Sequence, residues 1–188
     1  MDMQTKINLR FGILAVIVIG AAMSRLLPHP PNATAVGAMA LFGGAYFIQR
    51  WQSLVLPLVA MWISDLVLNN IIYKAYNPTF TLFTEGGAFI YGSIALMVVL
   101  GWVMLKKVKT VNVMAASLVG STLFFLITNA GAWMGSTIYP QTGGGLLTAY
   151  VAGLPFLINT VAGDLMWCAV LFGGFEWAQQ RFPTLATH

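Results

Sequence analysis

Along the chain, apolar residues gather into six blocks separated by proline, glycine and basic residues. Phe11–Leu27 (FGILAVIVIGAAMSRLL) sets the pattern, being nearly continuous in apolar character with no alternation every second residue. A membrane-barrel strand alternates over about ten positions, whereas a helix satisfies its backbone internally and can be apolar all round. The blocks therefore predict helices. The first covers about Phe11–Leu27 and ends at Pro28, Pro30 and Pro31. The second, about Ala35–Ile48, is short and rich in Gly and Ala. The third covers about Leu54–Tyr73, with Pro57 in its first turn, where proline is tolerated. The fourth, about Ala88–Leu105, closes on Lys106, Lys107 and Lys109, and the fifth is about Val111–Ala132. The sixth, about Tyr150–Trp177, is longer than a bilayer needs, so it tilts or begins outside the hydrocarbon.

Composition turns these helices into membrane spans. Only 7 % of the residues are charged and 59 % are hydrophobic, where a soluble domain carries roughly a quarter charged. The mean hydropathy is +0.81. With 188 residues, six spans and their loops use nearly the whole chain, so the expectation is one all-α transmembrane domain over 1–188. Ser24–Pro28 lacks a small-x-small cleavage pattern, and the first block reads as a retained helix, not a signal peptide. Seven of the nine Lys and Arg residues fall on one side of the predicted topology: Lys6, Arg10, Arg50, Lys106, Lys107, Lys109 and Arg181. Arg25 and Lys74 fall on the other, which places both termini in the cytoplasm of a multi-pass protein of the bacterial inner membrane. The net charge of +4 forms no basic stripe, so nucleic acid is not an expected partner. A lone Cys168 excludes an intramolecular disulfide and a multi-Cys metal site. No nucleophile–base set, H-E-x-x-H or Walker sequence is present, so no enzymatic activity is expected.

Candidate chemistry concentrates in the outer halves of the spans and in the three outer loops, Pro28–Thr34, Lys74–Gly87 and Trp133–Ala149. Asp65 and Asp164 each lie inside a span, where a carboxylate is costly unless paired, protonated or wet. Arg25 is placed to pair with Asp65, either as a packing pair that orients two helices or as the polar floor of an outward pocket. Asp164, with Asn159 five residues earlier, either accepts hydrogen bonds from neighbouring helices or relays protons, and the structural role is favoured. Asp65, Asn69 and Tyr73 are spaced by four and share one helix face, which either lines a cavity or caps the helix end. His29 sits among three prolines in a stiff turn, and one histidine is no metal site by itself. The terminal His188 is assigned no role. Trp133, Tyr139, Tyr150, Tyr76 and Tyr91 suit an interfacial aromatic belt, or the stacking of some on a flat ligand. Gly143-Gly144-Gly145 reads as a flexible joint before the last span.

Several segments together carry a resemblance: Arg25-Leu-Leu-Pro-His-Pro-Pro-Asn32, Val36–Tyr46, Ile63-Ser-Asp-Leu66, Thr128–Trp133, Tyr139-Pro140 and Tyr150–Asn159. They resemble the six-helix substrate-binding S components of energy-coupling-factor vitamin transporters, nearest to the solitary cobalamin-transporting (BtuM-type) branch. The resemblance implies a vitamin pocket on the outer side, with His29 and Asp65 lining it and outer-loop tyrosines nearby. In that branch a cysteine after the third span ligates cobalt; Tyr76–Glu85 contains none, which leaves His29 as the side chain for a cobalt, and Ala152-Gly153-Leu154 lacks an arginine before Pro155. The first span also lacks the A-x-x-x-A surface on which S components dock to energising subunits, in keeping with a solitary transporter. The expectation is a transporter or binding subunit for a vitamin-like molecule, a corrinoid among the candidates, with no required cofactor. Its pocket would be lined by His29, Asn32, Asp65, Asn69, Tyr76, Trp133 and Tyr139. The rival readings are an envelope assembly protein without a small ligand, and a membrane enzyme acting on a lipid or bound vitamin.

Overall fold

The apolar blocks form six helices, and one of them is too short to cross a bilayer. In the computed structural model, which describes residues 3–76 and 79–186, the helices are α1 (Met3–Met23), α2 (Val36–Tyr46), α3 (Arg50–Val67), α4 (Gly87–Met104), α5 (Thr110–Met134) and α6 (Gly143–Arg181). A 3-10 turn over Ser24–Leu26 follows α1, a π-helical turn over Leu68–Ile72 ends α3, and a 3-10 turn over Pro183–Leu185 follows α6. All but α2 are long and apolar enough to span a membrane, which makes five candidate spans. The expectation of six spanning helices is corrected on this point. Eleven residues of α2 rise about 16 Å against a hydrocarbon core of about 30 Å. His188, and Asn77 and Pro78 of the second outer loop, lie outside the described residues.

α2 is instead the core of the bundle. Ten of its eleven residues are buried, and it contacts α1, α3, α4, α5 and α6. Small residues make this possible. A Cβ on Gly44 would fall on the Val98 carbonyl oxygen and 3.0 Å from Gly101 Cα, and one on Gly101 would come within 2.8 Å of the Leu41 carbonyl oxygen. The two backbones therefore cross in direct contact, as small residues permit between membrane helices. The segment from Leu27 to Ala35 leads from the 3-10 turn after α1 into α2. It descends against α6, where a Cβ on Gly163 would lie 2.8 Å from Ala33 Cα. Leu27–Asn32 are exposed, and the chain becomes buried only from Ala35, as it enters α2. At the other end of α2, Phe42, Tyr46, Phe172 and Phe175 interlock with ring centroids 4.7–5.6 Å apart.

Two further boundaries differ from expectation. α3 begins at Arg50, so Pro57 is interior to it; Trp102 Nε1 donates to Ser53 Oγ at 2.9 Å in the turn before the proline. α6 begins at Gly143, and the three glycines are its first turn, not a joint. Thr142 caps that turn, its Oγ1 accepting from the Gly145 N–H at 3.2 Å. The 39 residues of α6 extend about 58 Å, so even at a tilt of about 40° it outruns the hydrocarbon. The Pro183–Leu185 turn packs on α1.

Candidate functional site

Three elements converge on Asp65. Ser24–Leu26 turns the chain at the end of α1 and directs Arg25 toward α3, where its Nη1 donates to Asp65 Oδ1 at 2.6 Å and to Ser64 Oγ at 2.8 Å. From α4, the Tyr91 hydroxyl donates to the other carboxylate oxygen, Oδ2, at 2.6 Å. Ser64 Oγ in turn donates to the Met61 carbonyl at 2.7 Å. The Arg25 and Asp65 side chains are 16 % and 7 % exposed. Both carboxylate oxygens are thus satisfied, one by a full charge and one by a phenol, as a buried ion pair requires.

Below this cluster lies a cavity of about 220 Å³. Arg25, Asp65, Asn32, Asn69, Tyr73, Thr34 and Thr84 are polar residues of its lining; Met61, Ile90, Ile94, Met97 and Phe124 are apolar ones; Thr160 and Asp164 join it from α6. The α1–α2 loop is shaped to reach it. Pro30–Ala33 forms a turn closed by the Ala33 N–H to the Pro30 carbonyl at 3.0 Å. Pro31 holds its second position and Asn32 its third at φ 64°, a left-handed conformation that asparagine tolerates. Asn159 on α6 fastens this turn by donating to the Pro31 carbonyl at 3.0 Å.

The α3–α4 loop is fastened over the same end. Asn70 mimics a strand partner, donating to the Thr81 carbonyl at 2.9 Å and accepting from the Thr81 N–H at 2.8 Å. Asn69 Nδ2 donates to Thr84 Oγ1 at 2.9 Å, and Trp62 Nε1 to the Leu82 carbonyl at 3.1 Å. The π turn that presents both asparagines is closed by the Tyr73 N–H to the Leu68 carbonyl at 2.7 Å. Such turns are frequent at functional sites.

Asp164 has a different environment. Ser121 Oγ on α5 donates to its Oδ2 at 2.7 Å, and the Ala38 N–H of α2 donates to the same carboxylate. Its carboxylate occupies the place that a Cβ on Gly37 would need. Ala35, at the start of α2, gives no side-chain cap, so Asp164 supplies the acceptor from another helix and meets the positive end of the α2 dipole.

The structure brings Arg25, Asn32, Asp65, Asn69 and Asp164 to one cavity. It leaves His29, Tyr76, Trp133 and Tyr139 outside it. His29 is exposed and donates through Nδ1 to the Leu27 carbonyl at 2.7 Å, on a separate cleft beside Trp167. Tyr76 is 84 % exposed in the turns after α3. Trp133 Nε1 donates to the Pro140 carbonyl at 2.9 Å, and the Tyr139 N–H to Ser136 Oγ at 3.2 Å. Both belong to the tip of the α5–α6 hairpin, which the early start of α6 carries about 30 Å along the helix from Asp164. The sequence pattern offers Tyr91 only for an aromatic belt or for stacking on a ligand, not as a partner of Asp65, and gives Ser64 and Ser121 no role in the site. A hydroxyl inside a span was their only signal, and most span hydroxyls bond their own helix, as Thr122 and Thr128 do. Among the described residues no group of three or more His, Cys, Asp or Glu could hold a metal ion.

The chain belongs to a family of unknown function, DUF6580, whose match covers residues 5–185. No curated protein matches it, and no solved structure does.

Proposed function

We propose that this protein is a membrane carrier, or the binding subunit of one, for a small vitamin-like molecule held in the Arg25–Asp65 cavity. The observation that carries the reading is the cavity itself: a polar cap of paired charge, amides and hydroxyls over an apolar wall, inside a chain with five span-length helices. Arg25 and Asp65 offset one another, and Asp164 on the same wall is met by a hydroxyl and the α2 N-terminus, so the ligand that fits carries no negative charge, with a hydrogen-bonding head and an apolar body. Its size is bounded. Drug-sized ligands occupy pockets of about 300–1,000 Å³, and this cavity is about 220 Å³. A corrinoid would insert only a part of itself unless the α3–α4 loop opened. The distribution of Lys and Arg favours access from the periplasmic side.

The test is native mass spectrometry and absorbance on detergent-purified protein offered cobalamin and, separately, smaller vitamins. A retained ligand is expected to be lost in Met97→Trp, whose larger side chain narrows the cavity from its α4 wall, provided the variant keeps the wild-type unfolding midpoint. Equal retention by that variant would overturn the site.

A second reading, an envelope assembly protein, is favoured by one observation. The first half of α6 exposes Leu147, Val151, Leu154, Phe156 and Ile158 at 45–70 %, an apolar face that a partner chain would cover as readily as lipid. A co-purifying partner lost on changing Leu147 and Val151 to serine would support it.

A further inference from the structure

At the end of the bundle away from the cavity, α1 carries a second buried cation, and its surroundings are incomplete. Arg10 is 6 % exposed. Its Nη2 donates to the Tyr46 carbonyl at 3.2 Å, while Nε and Nη1 have no acceptor among the described residues. The Tyr46 hydroxyl is directed elsewhere, donating to Glu176 Oε1 at 2.5 Å. The only ion pair among the described residues is Arg25–Asp65, so no described carboxylate answers Arg10. A buried cation with unused donors is costly until an anion completes it.

Space for that anion exists. Arg10 lines a cleft of about 440 Å³ between the start of α1 and the α2–α3 turn, with Asn8, Gln49 and Gln52 placing amides around it. Lys6 stands one turn before Arg10 on α1, and Arg50, held over the Trp102 ring at 5.5 Å from its centroid, opens α3. Both add positive potential without filling the cleft. Its margin is apolar: Ile7 and Ile48 are 41 % and 60 % exposed. A basic pocket between helix ends, bordered by apolar side chains, matches the chemistry by which membrane proteins hold lipid headgroups.

We propose that this cleft binds a phosphate oxyanion against the Arg10 side chain, drawn by its uncompensated charge, and that its apolar margin suits the headgroup of an anionic phospholipid. In neutral detergent the wild-type protein is expected to retain phosphatidylglycerol over phosphatidylcholine in native mass spectra, and added phosphatidylglycerol is expected to raise its unfolding midpoint. Arg10→Gln is expected to weaken that binding about tenfold, the weight of one hydrogen bond to a charged group. Gln52→Leu, at the rim, is expected to weaken it several-fold and covers the case in which Arg10→Gln does not fold. Displacement of the lipid by millimolar inorganic phosphate, or stabilisation by phosphate alone, assigns the same site to free phosphate. Equal retention of both lipids by the wild-type protein with no response to phosphate overturns the proposal, and so does unchanged phosphatidylglycerol binding in folded Arg10→Gln.

Discussion

Asp65 and Asp164 are both carboxylates inside the bundle, and they are stabilised by different means. Asp65 meets a full positive charge from Arg25 and a phenol from Tyr91. Asp164 meets a serine hydroxyl and the N-terminal end of α2. The first arrangement is made of side chains, each from its own helix, and can be exchanged as a set. The second includes backbone, because the α2 N–H groups stay where they are whatever residue replaces Asp164. The polar cap of the cavity is therefore replaceable chemistry, suited to a ligand that competes for it, while the Asp164 contact is part of how the short helix is held.

The largest effect follows from splitting the first set. Arg25→Ala strands Asp65 out of water and is expected to destabilise the protein by about 3–5 kcal/mol, read as a lowered unfolding midpoint in detergent. Combining Arg25→Met with Asp65→Leu should recover most of that loss, since two apolar residues of similar volume need no partner. A single variant as stable as wild type would mean that water already screens the pair. Next in size is Tyr91→Phe, which removes one hydrogen bond to a charged group and is expected to cost about 1.5–3 kcal/mol. Its loss should be smaller in the Arg25→Met, Asp65→Leu background, and a double-mutant cycle measures the difference.

The second set predicts a milder response. Asp164→Asn keeps an acceptor for the α2 N–H while removing the charge at the helix end, so a loss of about 1 kcal/mol is expected, the usual scale of a helix cap. A loss as large as that of Arg25→Ala would show that the charge of Asp164, and not its place as a cap, is what the fold depends on, and the contrast between the two carboxylates would fail.

How far this contrast was legible in the sequence depends on range. The Asp65–Asn69–Tyr73 spacing and the position of Arg25 pointed to one face, and all four residues line the cavity. Local periodicity was enough there because the backbone continues as a helix from α3 through the π turn that carries Asn69 and is capped by Tyr73. It was not enough for α2, whose Gly and Ala content marked a short segment without saying that it would be enclosed by five other helices. Nor could it place the aromatic residues of the outer loops. A last helix starting at Tyr150 would put Trp133 and Tyr139 close to the pocket, and the start at Gly143 puts them instead at the tip of the α5–α6 hairpin. Arg10 counted only as one more basic residue near a helix start. Its burial is set by the α2–α3 turn, 36 residues away in sequence at Tyr46.

The smallest expected effect tests the boundary of the cavity. Tyr76 lies a few residues beyond Tyr73, but the turns after the π segment point it outward, 84 % exposed. Tyr73 instead lines the cavity and is held by its backbone bond to Leu68. Tyr76→Ala should therefore change stability by less than about 0.5 kcal/mol, as surface substitutions usually do, and leave ligand retention as in wild type. Tyr73→Ala should weaken retention by enlarging the cavity beside Asn69. If Tyr76→Ala lost the ligand instead, the α3–α4 loop would have to fold inward when the site is filled. The cavity would then be the open form of a larger enclosure, with room for more of a corrinoid than about 220 Å³ allows.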